Sequence, residues 1–149
     1  MWKPRGIAAG WKAASPCRAS PRTLDEYEPL APQPGDRVIA KPRFSAFFAT
    51  QLDLVLRRLG VGTVVLIGTT TPNCIRTTCY DALSLDYNVV LLEDCTSSRT
   101  PEVQAANIED MAFIGAHIMT CDEFCERGLA NVEDVAGGVR EACFEEAAR

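Results

Sequence analysis

A chain of 149 residues, 47% of them hydrophobic, has the size and composition of one globular domain with a sizeable core. Its apolar runs are only a handful of residues long, which excludes a membrane-spanning helix. The net charge of −5 is unevenly spread: residues 1–22 hold five of the 15 basic residues and no acid, so the rest of the chain carries all 20 acids against ten bases. An acidic body of this kind argues against nucleic acid as a partner.

In chain order, residues 1–34 are rich in Pro, Ala, Ser and Arg and show no apolar period. They read as an irregular tail, with transit-like composition as one reading and a disordered or mis-assigned start as the other. Pro34-Gly35-Asp36 is a turn signal, and Arg37 to Lys41 is predicted as a short strand. Ser45 is the expected cap of a helix from about Phe47 to Leu59, with Phe48, Leu52, Val55, Leu56 and Leu59 on one face. Gly60-Val61-Gly62 ends it. Thr63 to Ile67 is a nearly continuous apolar run, the pattern of a strand covered on both faces.

A helix to about Asp86 follows, with Thr71 as cap and Pro72 at its first position. Asn88 to Leu92 is predicted as a strand, and Thr100-Pro101 opens a helix to about Ile114. Ala116 to Met119 is a last short strand. Thr120 with Glu123 fits a capping box for a helix to about Arg127. Residues 129–149 are predicted as a helical tail. Strands alternating with helices over residues 35–128 predict an α/β domain with a parallel sheet, whose active site would lie beyond the carboxyl ends of the strands.

The most informative stretch runs from Val64 to Arg76, where the strand stops at Gly68 and Thr69-Thr70-Thr71-Pro72-Asn73 leads to Cys74 in the first turn of a helix. Unpaired N–H groups and the positive end of the dipole favour a thiolate there, so Cys74 sits where a nucleophile would be placed. A buried small residue is the alternative reading. Lys41, at a predicted strand end, is able to face the same crevice. Backbone N–H groups around Thr70 and Cys74 are candidate oxyanion donors.

Other chemistry is poorly represented. Seven cysteines contain no CxxC pair, His117 is the only histidine, and no spacing resembles a zinc site, so neither metal nor cofactor is expected. Cys121 and Cys125, four apart, read as half-buried helix residues. There is no GxGxxG or GxxxxGK[ST]. Asp94, after a strand, reads as a turn-capping residue. Scattered free cysteines fit a reducing compartment, hence the cytoplasm, or a chloroplast or mitochondrion if residues 1–22 act as a transit peptide.

From about Gly35 to Phe124 the chain closely resembles the isochorismatase-like cysteine hydrolases, which include nicotinamidases. The residues that carry the resemblance are Gly35-Asp36, Lys41-Pro42-Arg43-Phe44-Ser45-Ala46-Phe47, Leu52-Asp53 with Leu56-Arg57 and Gly60, Gly68 through Arg76, Asp81-Ala82, Tyr87 and Asp94. The resemblance implies a Rossmann-like, three-layer parallel sheet with flanking helices. It also implies hydrolysis of a small amide or related C–N (or vinyl ether) substrate through a Cys, Lys and Asp triad.

Cys74 matches the nucleophile and Lys41 the lysine. Thr69-Thr70 matches the cis peptide of the oxyanion hole, and Phe44 and Asn73 are pocket candidates. The family's aspartate motif, its metal-binding region and its first strand have no match, Asp25 lying in sequence without an apolar run. Gln104 stands where many relatives have histidine. An N-terminally incomplete sheet implies low monomer stability or a homo-oligomer, with a small molecule as the other partner. It also leaves open an inactive member that serves as a binding or assembly subunit, or a truncated gene product.

Overall fold

The computed structural model describes residues 32–130, 132–134, 137–138, 141, 143–144 and 147. The predicted tail before Pro34 lies almost wholly outside these residues. The elements run α1 (Leu52–Arg58), β1 (Thr63–Thr69), α2 (Arg76–Ser84, entered through a wide π-helical turn over Thr71–Ile75), β2 (Asn88–Ser97), α3 (Pro101–Phe113), β3 (His117–Met119) and α4 (Cys121–Arg127). The three strands form a parallel sheet in the order β1-β2-β3, with the helices in the connections.

β2 is the central strand, and its Val89, Val90 and Leu91 are wholly buried. Each such side chain contributes about 1.5–3 kcal/mol relative to exposure. Around them the core gathers Leu52 and Leu56 of α1, Ile75, Cys79 and Ala82 of the second helix, Tyr87, and Met111 of α3. The extended run Asn88 to Leu92 was expected from its apolar side chains, but β2 continues to Ser97 through the exposed Glu93 and Asp94. Pairing sustains it: Leu66 faces Leu91, then a register shift brings Gly68 opposite Thr96 and Thr69 opposite Ser97. Backbone pairing is indifferent to the side chains it carries.

Three sequence expectations are corrected. Arg37 to Lys41 forms no strand; its burial alternates, with Ile39 and Lys41 buried and Val38 and Ala40 exposed, yet no strand of the described residues pairs with it. The first helix begins at Leu52, not Phe47. Ser45 does accept the N–H of Phe47, at 3.1 Å, but the loop instead turns through Ala49 at a φ of 52°, which leaves Phe48 exposed. Thr71 is not the cap of the next helix. Thr70 holds that place in an extended conformation, because the Thr71 hydroxyl is used elsewhere.

The remaining punctuation follows the sequence. Gly60 and Gly115 adopt positive φ at helix ends. Thr100 accepts the N–H of Val103, and Thr120 and Glu123 complete the capping box, with Thr120 N donating to Glu123 Oε2 at 2.8 Å.

Candidate functional site

Of the residues singled out by sequence, Thr69 ends β1 and Thr70, Asn73 and Cys74 follow it directly, beside the carboxyl end of β2. Gly68, the next-to-last residue of β1, has a φ of 116°, where a side chain would be strained. The Thr69–Thr70 peptide is cis. The chain then enters the wide turn, in which the Thr70 carbonyl accepts from Asn73 N at 3.1 Å and Ile75 N at 3.5 Å. Pro72, with no N–H to satisfy, fits this first turn. Cys74 is 5% exposed at its centre.

One polar bond fixes this turn to the sheet. Thr71, fully buried, donates its hydroxyl to the carbonyl of Ser97 at 3.0 Å, joining the cysteine turn to the last residue of β2. On the outer side, Thr77 donates to the Asn73 carbonyl at 2.6 Å. Asn73 itself is exposed.

Lys41 is 5% exposed, a rare state for a lysine. Its ammonium donates to the carbonyls of Arg43 (3.2 Å) and Phe44, so the loop that follows it folds round the charge. That loop is held on the Cys74 face of the second helix. Thr78, four residues after Cys74 and therefore on the same side of the helix, accepts the N–H of Ala46 at 3.0 Å. This bond ties the loop after Lys41 to α2, one turn beyond Cys74. Phe44 leaves 49% of its surface exposed.

Residues that sequence reasoning did not connect surround this core. Gln104 of α3 donates to Thr96 Oγ1 at 2.9 Å, while its own Oε1 and the hydroxyl of Ser98 are buried without a partner. Across α2 and α3, Asp110 accepts from both Arg76 and Tyr80 at 2.6 Å. At the other end of the fold, Tyr87 donates to Asp53 Oδ1 at 2.9 Å and Arg57 pairs with Asp53. Burial and the Asp53 bond push the Tyr87 phenol up to about 12. The i,i+4 spacing of Asp53 and Arg57 signalled their pairing; Tyr87 had no local signal. Asp94, read from sequence as a turn-capping residue, instead lies inside β2 and accepts the N–H of Cys121, the first residue of α4, at 2.9 Å. An open groove of about 540 Å³ between Val38 to Ala40 and Ala49 to Leu54 is lined by none of the predicted site residues.

The isochorismatase domain, as a family model, matches residues 3–123. The chain belongs to the isochorismatase family. It is 49% identical over 92 residues to a protein of Arabidopsis thaliana named as a probable inactive nicotinamidase, covering 61% of this chain and 47% of that one. A ureidoacrylate amidohydrolase of Pantoea ananatis is 40% identical over 103 residues, covering 68% of this chain and 41% of that one. Among solved structures, an isochorismatase-like hydrolase from Alkaliphilus metalliredigens superposes with a TM-score of 0.73 at 34% identity, covering 80% of this chain and 68% of that one.

The chain spans less than half the length of these two curated relatives. The isochorismatase-like α/β fold expected from sequence is the fold observed, and the hydrolase relatives agree with the expected family. Among the described residues no group of three or more His, Cys, Asp or Glu is arranged to hold a metal ion. No described helix is long and apolar enough to cross a membrane. Asp25 lies outside the described residues.

Proposed function

We propose that this isochorismatase-family chain carries a cysteine-hydrolase site for a small amide or related C–N substrate, with Cys74 as nucleophile. The observation that supports it most is the placing of Cys74: a shielded thiol in the helical turn directly beyond the carboxyl end of β1, clamped to the end of β2 by the Thr71–Ser97 bond. In a parallel sheet that crest is where reacting groups converge.

In this reading the Cys74 sulfur attacks the substrate carbonyl. Peptide N–H groups at Thr70 and Cys74 receive the charge on oxygen, and departure of the amine leaves a thioester for water to cleave. Lys41, buried and held by the Arg43 and Phe44 carbonyls, is assigned the positive charge that supports the thiolate, and Phe44 and Asn73 the contact with substrate. No described carboxylate is assigned the role of proton shuttle. Homo-oligomerisation fits the exposed Ile67 on β1 and the exposed Val38 and Leu54.

A second reading is a catalytically incomplete subunit that binds without turnover. The 49%-identical Arabidopsis relative, itself named as a probable inactive nicotinamidase, favours it. One pair of assays separates the two. Iodoacetamide modification is measured peptide by peptide, together with hydrolysis of nicotinamide and ureidoacrylate. Faster labelling at Cys74 than at the exposed Cys143, with turnover abolished in Cys74→Ala, supports the hydrolase. Preferential labelling without turnover supports the incomplete site, and labelling that merely follows exposure removes both.

A further inference from the structure

The loop that leaves Lys41 is braced by its own polar atoms. The Lys41 ammonium donates to the Arg43 and Phe44 carbonyls. Ser45 accepts the Phe47 N–H, while the Thr50 hydroxyl donates to the Ala46 carbonyl and accepts the Leu52 N–H. Each of these bonds spans four residues or fewer. The Ala46 N–H behaves differently, donating to Thr78 Oγ1, 32 residues further on, at 3.0 Å. Ala46 and Thr78 are both buried, so the bond is shielded from water. The Lys41 charge is thus carried on a loop whose place is set from α2.

We propose that Thr78 is a positioning residue of the Cys74 site: by accepting the Ala46 N–H, its hydroxyl sets where the Lys41 charge stands relative to the Cys74 sulfur, a role that rests on the reading of Cys74 as nucleophile and Lys41 as its supporting charge. Cys74 and Thr78 belong to one continuous helical stretch, made of the wide turn over Thr71–Ile75 and α2. Four residues of helix rise by about 6 Å, close to one turn. A bond to Thr78 therefore refers the lysine loop to the same rigid element that carries the sulfur. The energy of two charges falls with their separation, and shielded charges are screened least by salt. A loop displaced by about an ångström or two therefore supports the thiolate less, while the sulfur itself stays in place.

Two substitutions separate this role from packing. Thr78→Val keeps the shape of the side chain and removes the acceptor, which leaves the Ala46 N–H buried and unpaired. The loop relaxes to recover a partner for that group and takes Lys41 with it. Thr78→Ser keeps the acceptor and loses only a methyl group, so the loop stays where it is.

The test is the rate of iodoacetamide labelling at Cys74 in the full reduced chain, followed from pH 6 to pH 10, with the exposed Cys143 as internal control. Only the thiolate reacts, so the pH profile reads its support and not its exposure. Lys41→Met is expected to slow Cys74 labelling at pH 7 by about tenfold, the effect of losing one close opposite charge. Thr78→Val is expected to slow it by about threefold, a partial loss of the same effect. Thr78→Ser should match the parent, and all profiles should meet at pH 10, where thiolate formation no longer limits the rate. Added to Lys41→Met, Thr78→Val should slow labelling no further, because the charge it positions is gone. Thr78→Ala repeats the comparison in a second variant without the acceptor, and far-ultraviolet circular dichroism checks that each variant keeps its fold. Labelling of Thr78→Val at or above the parent rate at pH 7, a slowing that persists at pH 10, or a further loss in the double variant would each overturn the role of Thr78 and leave that of Lys41 standing. An unchanged rate in Lys41→Met would overturn both.

Discussion

Replacing Thr71 tests whether a single buried hydrogen bond holds the cysteine turn against the sheet. Thr71 is 0% exposed and its hydroxyl lies 3.0 Å from the Ser97 carbonyl. Thr71→Val keeps the shape and adds only apolar surface, but it deletes the donor. The net bond contributes about 0.5–1.5 kcal/mol, and leaving its part-buried carbonyl unpaired adds the lower part of a cost of about 1–3 kcal/mol. The expected destabilisation is therefore about 1.5–3 kcal/mol. Thr71→Ser keeps the donor and loses one methyl, a change of about 1 kcal/mol.

Urea denaturation of the two variants beside the parent chain reads both numbers, with the slope m checked for constancy. The reasoning demands that Val be worse than Ser. If Ser is the more damaging, packing rather than the hydrogen bond holds the turn, and the account of how β2 positions Cys74 is wrong. A loosened turn also exposes the sulfur, so iodoacetamide labelling of Cys74 in Thr71→Val should become more like that of Cys143.

Other consequences follow from the outer polar contacts. The Tyr87 phenol, raised by burial and by the Asp53 bond, should ionise near pH 12, read as the 295 nm absorbance step missing in Tyr87→Phe. Because its folded pKa exceeds the unfolded value of 10.0, its contribution to stability is complete below about pH 10 and disappears as pH rises through about 12. An ionisation at the unshifted value would refute the Tyr87–Asp53 contact.

Thr120→Ala removes the α4 cap and should cost about 1 kcal/mol in urea denaturation, whereas Thr120→Asp should restore most of it. Equal loss in both would show that the capping box does not set α4. Cys79, fully buried and pushed up to about 12 by burial, should resist alkylation in the folded chain at pH 8, and rapid labelling there would contradict the core described here.

Much of this architecture is legible in the sequence because its signals are local. Thr100 with Pro101, the Thr120–Glu123 box and the glycines after α1 and α3 mark their boundaries by rules that need no tertiary context. The expectations that failed depend on distant partners. Arg37 to Lys41 has a strand's alternation, yet a strand also needs a neighbour. β2 outlasts its apolar run because β1 resumes pairing after the register shift. Thr71 has the chemistry of a cap, but Ser97, 26 residues away, takes its hydroxyl.

The site divides in the same manner. Cys74 was visible through its motif and its place just beyond a strand, and Lys41 through its motif alone, since the strand expected to end at it does not form. Thr78, which ties the Lys41 loop to the Cys74 helix, carried no signal, since its acceptor role appears only once Ala46 arrives from 32 residues away. Gln104 attracted notice as a departure from relatives, but its bond to Thr96 is a product of the strand extension.

The central claim is that Cys74, and no more exposed thiol, is the nucleophile of this crest. Its most direct test is acyl transfer from a small activated ester to the folded chain, with the acylated residue identified by peptide mass spectrometry. The account predicts an acyl group on Cys74, lost in Cys74→Ala and reduced in Lys41→Met. Acylation spread over Cys125 and Cys143 according to their exposure, with none on Cys74, would contradict it.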